Sequence, residues 1–323
     1  MDSDGGSTDA ATSGERGAGE LYPLKLEPLL VERIWGGDRL AGFHGMDGHG
    51  ARQLATARQP ADTQQPAARR QHAAAQQART PPPTPQHHTP IGESWLLCDD
   101  NRVLNGGFAG TKVIDVIAKL GVDLLGSANV EAYGTKLALM AKFLDAASDL
   151  SIQVHPDDAY ALTHESATGH LGKTEAWYVM EAESGAGVVW GFSRQMTEDE
   201  VRLQVANGTL ADSLNRVPVS PGDVIVNEAG TVHAVGAGLM LFEIQQSSDL
   251  TYRLYDYGRR DAAGNLRELH LDKALAVADL RRADPGSGMG PAARGGSSGH
   301  AQATEAGWRL LVDTRQFTLE SAL

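Results

Sequence analysis

The feature that most constrains this fold is a recurrence of short apolar or alternating runs closed by turn residues. Residues 188–191 (VVWG), 223–226 (DVIV) and 239–245 (LMLFEIQ) are of this kind, with Gly, Pro, Asn and Asp punctuating the chain around them. Strands expose alternate residues to opposite faces, and short strands joined by tight turns belong to antiparallel sheets. Helical periodicity appears in three places only: residues 111–120, 197–214 and 269–280. In the second of these, Thr197-Glu-Asp-Glu200 has the form of a capping box. The expectation is a β core decorated by helices.

At 323 residues and 41% apolar composition the chain can bury a substantial core. Three stretches stand outside it. Residues 1–20 are Gly, Ser, Ala and acidic residues without apolar periodicity and are predicted to be a disordered tail. Residues 49–89 are an Ala/Gln/Arg/Pro-rich low-complexity insert, and residues 285–303 read as a Gly-rich linker. His72, His87 and His88 fall in the insert, where a Pro/Gln-rich run fixes no ligand geometry, so no metal site is assigned there. Residues 21–284 are then one domain carrying the insert, and residues 304–323 open a C-terminal β region.

Charge and cysteine content narrow the partners. A formal net charge of -13 repels polyanions, so neither nucleic acid nor an anionic membrane is an expected partner. The single cysteine, Cys98, forms no internal disulfide, and the N-terminal residues lack the apolar core of a signal peptide. Residues 137–144, apolar but broken by Lys142, are far too short to span a bilayer. A cytoplasmic protein without transmembrane helices is expected; oligomeric state is open.

The chemistry concentrates in three segments. In SIQVH, period two puts Ser151, Gln153 and His155 on one strand face and Ile152 and Val154 on the other. Pro156 and the following Asp157-Asp158 end that strand, placing His155 at a rim. In GKTEAWYV, Lys173 and Glu175 share one face of a second strand. In the third segment, turns at Pro221-Gly222-Asp223 and Gly230 feed a short strand beginning at His233. A lone histidine is more often a hydrogen-bonded structural residue than a ligand. Together, however, one amide oxygen, two neutral imidazoles and one carboxylate form a mixed N/O set suited to one Zn²⁺ or another first-row dication.

Six motifs carry a resemblance: RIWGGDRL (33–40), IGESW (91–95), AKFLDAASDLSIQVHPDD (141–158), GKTEAWYV (172–179), PGD with GTVHAVG (221–236) and EIQQSSDLTYRLYDYGR (243–259). In these the chain resembles the short bacterial form of type I mannose-6-phosphate isomerase, within the cupin superfamily. The resemblance implies a mainly β fold, a cupin jelly-roll barrel with peripheral helices, whose C-terminal β half is cut short at residue 323. It implies interconversion of mannose 6-phosphate and fructose 6-phosphate. The implied metal ligands are Gln153, His155, Glu175 and His233, usually around zinc. Arg253 and Lys173 take the catalytic positions, and Ser151 and Arg259 those associated with the substrate phosphate. A sugar-phosphate-binding cupin without turnover is the competing reading, and a cupin oxygenase or epimerase the more distant one.

Overall fold

The computed structural model describes residues 22–44, 90–260, 264–291 and 308–322. The expected tail, the low-complexity insert with its three histidines, and the linker beyond residue 291 lie outside the described residues. By contacts the chain divides into two compact units: residues 1–28 with 98–138, and residues 29–97 with 139–323.

The strands, in chain order, are β1 (Leu29–Gly37), β2 (Ile91–Leu97), β3 (Leu139–Ala146), β4 (Ile152–Val154), β5 (Glu175–Ala182), β6 (Gly187–Phe192), β7 (Leu214–Pro218), β8 (Asp223–Asn227), β9 (His233–Val235), β10 (Leu239–Gln246), β11 (Tyr252–Tyr255), β12 (Met289–Pro291), β13 (Trp308–Asp313) and β14 (Thr318–Ala322). They form two antiparallel sheets in the larger unit. One has the order β1-β2-β3-β10-β5-β8-β12 and the other β11-β4-β9-β6-β7, while β13 and β14 pair as a hairpin. The mainly β, antiparallel architecture expected from the runs is therefore present.

Alternation explains how the layers pack. Trp177 and Ile225 oppose each other in register and face inward with Leu144, Val179 and Leu241, meeting Val188, Trp190 and Val235 of the second sheet. Their neighbours Ala176 and Val224 face outward, against Val312 and Phe317 of the hairpin. Behind the second sheet, Ile152, Val154, Phe192 and Leu254 pack with the helical residues Val201, Ala274 and Leu275. Trp177 is 1% exposed, so its truncation to Ala would cost about 3–5 kcal/mol.

The helices are α1 (Arg39–Phe43), α2 (Val113–Leu120), α3 (Val122–Leu125), α4 (Ser127–Tyr133), α5 (Asp158–His164), α6 (Glu198–Asn207) and α7 (Leu271–Val277). The Thr197–Glu200 capping box forms at the start of α6, and α6 ends at Gly208 in the left-handed region, where a side chain is disfavoured. In the smaller unit, α2 buries Val113, Val116 and Ile117, the i, i+3, i+4 stripe of an amphipathic helix. Val116 packs there with Val103 and Phe108, and with Tyr22 and Leu26. Among the described residues, no helix is long and apolar enough to cross a membrane.

The glycine-rich run from residue 285 starts as structure rather than as linker. Asp284 caps a turn over Pro285–Ser287 by accepting from the Gly286 N–H, and β12 then pairs antiparallel with β8. Gly288 lies so close to Trp190 that a Cβ would stand 2.1 Å from the ring. Here glycine serves close packing, which its lack of a side chain permits as readily as it permits chain freedom.

Candidate metal centre and active site

Register places the polar residues. Ile152 and Val154 are fully buried behind β4, which turns Ser151, Gln153 and His155 toward the other sheet. Gln153 stands opposite His233 on one side and opposite Arg253 on the other, and His233 opposite Trp190. Arg253, Gln153, His233 and Trp190 thus form one inward row across the second sheet. On the first sheet the corresponding row is Gln245, Glu175 and Asn227.

His155, Glu175 and His233 converge, each buried, with one ligand atom apiece lying within 4.8 Å of the others. His233 Nε2 is 3.2 Å from Glu175 Oε1, and His155 Nε2 is 3.4 Å from Oε2. Both rings are oriented by backbone carbonyls: His155 Nδ1 donates to Leu250 O at 2.9 Å and His233 Nδ1 to Thr231 O at 2.8 Å. This leaves each Nε2 lone pair facing the carboxylate, the tautomer that metal binding requires. Gln153 completes the set, its amide nitrogen 3.5 Å from His233 Nε2. Turning the amide over presents the oxygen instead, a choice decided by the neighbours it faces.

Lys173 is held beside these groups by a close backbone approach. A Cβ on Gly172 would stand 2.5 Å from the Asp157 carbonyl carbon, and this approach lets the Lys173 N–H reach Pro156 O at 3.0 Å. Its ammonium is 2.8 Å from Glu175 Oε2 and 3.4 Å from His155 Nε2. Among the described residues neither Glu175 oxygen meets a hydrogen bond of good geometry, so Lys173 acts on it as a charge. The donor set already holds one cation, and its composition fits a divalent one.

Electrostatics follow from burial. Burial alone would raise the Glu175 carboxyl, but the Lys173 ammonium holds it well below the usual carboxylate range. Burial opposes the charge on Lys173, yet Glu175, with Glu243, keeps its ammonium above the ordinary lysine value. His155 is pushed down to about 3 by burial, with Lys173 adding, so its ring is neutral and free to ligate.

The remaining predicted residues fall into two groups. Ser151 and Arg253 touch, with the Arg253 Nε donating to Ser151 Oγ at 3.3 Å and Nη1 to Glu268 O at 2.7 Å. Arg259 touches none of the other seven predicted residues among the described contacts. Its guanidinium is clasped by Asp149 O and by the side chain and carbonyl of Asp256. Arg267 meets the same Asp256 side chain at 3.3 Å through one nitrogen only. Burial and the neighbouring Arg253 lower the Arg267 guanidinium to about 10. An excess of half-buried positive charge of this kind can hold an anion.

Sequence reasoning did not single out Arg267 or Asn227. Arg267 lies just before the 269–280 helical run and carries no turn or strand signal of its own. Asn227 carried a signal: it ends the DVIVN alternation on the same parity as Ile225, a polar residue closing an inward run. Beneath the ligand row, Lys142 donates to Gln245 Oε1 at 2.8 Å and pairs with Glu243, which accepts from Trp177 Nε1 at 3.0 Å.

The comparisons with known proteins bear on the family and the fold. The family model for phosphomannose isomerase type I, catalytic domain, matches residues 67–176. Mannose-6-phosphate isomerase ManA of Bacillus subtilis is 36% identical over 262 residues, covering 80% of this chain and 68% of that protein. The mannose-6-phosphate isomerase of Streptococcus mutans is 34% identical, covering 79% and 67%. A crystal structure of the Bacillus subtilis mannose 6-phosphate isomerase superposes with a TM-score of 0.69 at 27% identity, covering 92% of this chain and 79% of that one. A zinc-bound crystal structure of mannose 6-phosphate isomerase shares the fold, with a TM-score of 0.60 at 15% identity over 92% and 82% of the two chains. The fold is thus that of the cupin-type isomerases, and the chain belongs to the type I mannose-6-phosphate isomerase family.

Proposed function

We propose that this protein is a zinc-dependent aldose–ketose isomerase that interconverts mannose 6-phosphate and fructose 6-phosphate in the cytoplasm. The observation that carries the reading is the convergence of His155, Glu175 and His233 on one point, with Gln153 and Arg253 in the same row as His233. Gln153, His155, Glu175 and His233 hold the ion. When bound, it supplies a Lewis-acidic positive charge that organises the sugar oxygens.

The reaction moves one hydrogen from C2 of the aldose to C1. A base removes the C2 proton, the C1 carbonyl oxygen gains a proton, and a cis-enediol forms. Reprotonation at C1 with loss of the O2 proton yields the ketose. Arg253, a half-buried guanidinium, stabilises negative charge developing on the enediol oxygens. Lys173, an ammonium buried next to the ligand carboxylate, helps shuttle protons to and from the substrate oxygens. The hydroxyl of Ser151 and the arginine cluster around Asp256 hold the phosphate, which fixes the sugar in register with these groups.

The test is a coupled assay of mannose 6-phosphate turnover on purified protein, before chelation, after chelation and with zinc restored. Turnover lost with the metal and recovered with zinc is expected. A folded, zinc-loaded protein without turnover would overturn the isomerase reading and leave the binding-only cupin.

A further inference from the structure

Asn227 is fully buried, and among the described residues neither its Nδ2 nor its Oδ1 atom has a hydrogen-bond partner. Buried amides are almost always paired, because an unpaired one forfeits its hydration without return. The direction of this side chain follows from strand parity. Val224 and Val226 turn outward toward the hairpin, so Ile225 and Asn227 turn inward, with Ile225 in the inner core. In the β5–β8 pairing, Ile225 stands opposite Trp177, and Asn227 stands opposite Glu175.

Glu175 therefore has two cross-strand neighbours in its row. On one side is Gln245, whose amide nitrogen is spent on Gln246 O and Ser248 O at 3.0 Å each, and whose oxygen accepts from Lys142. On the other is Asn227, whose amide hydrogens are uncommitted. Directly opposed side chains stand about 4.5–5.5 Å apart at Cβ, within reach of an Asn amide and a Glu carboxylate after rotation of either.

Resting on the metal reading above, we infer that Asn227 is a positioning residue of the metal centre: its side-chain amide donates to the Glu175 carboxylate and fixes the direction in which that carboxylate faces the two imidazoles. A neutral donor does this without adding charge to the site. Lys173 neutralises the same carboxylate, but its long flexible stem gives it little directional control.

The experiment compares Asn227→Leu, which keeps the volume and removes the donor, with Asn227→Ala and the wild type. Zinc affinity is measured by competition with a chromophoric chelator, the ligand field by the visible spectrum of the cobalt(II)-loaded protein, and fold integrity by thermal unfolding of the metal-free protein. The expected result is a zinc affinity lowered about 10–100-fold in both variants. The cobalt spectrum should change, and metal-free Asn227→Leu should still unfold in one cooperative transition, which separates loss of the donor from loss of the fold. Unchanged zinc affinity and cobalt spectrum in either folded variant would overturn the inference. A wild-type protein that takes up no stoichiometric zinc would instead overturn the metal reading beneath it.

Discussion

Replacing Lys173 with Met tests the charge balance of the site, because it keeps the length of the side chain and deletes the ammonium. Lys173 Nζ lies 2.8 Å from Glu175 Oε2, with the two side chains 7% and 0% exposed. Removing one partner of a buried ion pair strands the other, at a cost of about 3–5 kcal/mol. At about 2–4 °C per kcal/mol for domains of moderate size, the metal-free variant should melt roughly 6–20 °C below the metal-free wild type.

Zinc should return most of that loss. A dication beside Glu175 supplies the positive charge the variant lacks, so zinc is expected to raise the melting temperature of Lys173→Met more than that of wild type. The pH dependence has a definite sign. The Glu175 carboxyl sits below its ordinary value near 4.5, so its share of stability is present above that value and lost as pH falls through the depressed one. The Lys173 ammonium sits above its ordinary value near 10.5, so its share is present below that value and lost only at higher pH. The deficit of the variant should be full between these limits and close on the acid side, where its stranded carboxyl takes a proton. Thermal unfolding followed by circular dichroism, with chelator and with zinc, measures all three effects. Equal metal-free stability of variant and wild type, or an equal zinc shift in both, would refute the reasoning.

Arg253→Ala should keep its zinc while kcat falls about 10²–10³-fold, as for loss of a transition-state donor; retained turnover would remove the arginine from the mechanism. Arg267→Ala should raise KM for mannose 6-phosphate about 10–100-fold through loss of a charge-assisted hydrogen bond, with little change in melting temperature. Arg259→Ala should raise KM as well and, because it undoes the Asp256 clasp, also lower the melting temperature; an unchanged KM would take Arg259 out of the phosphate site. Away from the site, burial raises the Glu93 carboxyl, but Arg33 and Lys142 override it and set it at about 2, against an ordinary 4.5. Its stabilisation, on the order of 3 kcal/mol, is present above the ordinary value and lost as pH falls toward the depressed one. Glu93→Gln should therefore show a shallower acid limb in urea midpoint against pH, and an unchanged limb would sink the assignment.

Local order was legible in the chain itself. Period-two alternation in SIQVH is intrinsic to an extended backbone, and it put Ser151, Gln153 and His155 on one face before any partner strand was known. The capping box at Thr197 and Glu200 is equally local, a bond between residues three apart. Pro156 and Gly230 marked strand ends because proline lacks a donor and glycine tolerates the positive φ of 89° found there. The ligand types were readable for the same reason: the nature of a donor atom belongs to the residue that carries it.

Tertiary structure alone decided which of these groups meet and which are already spoken for. Gln153 opposes His233 across 80 residues of sequence, a register that depends on loops and long-range pairing. Arg259 and Arg267 are alike as letters, yet Arg259 is clasped by Asp149, 110 residues away, while among the described residues Arg267 meets Asp256 through one nitrogen. Asn227 reads as an ordinary strand end until β5 brings Glu175 opposite it. The glycines after Pro285, which by composition spell a linker, are partly consumed by packing against Trp190. Sequence determines what each side chain offers and which face of its own element it occupies; the fold determines what stands opposite, because partners distant in the chain satisfy or free the same chemical group.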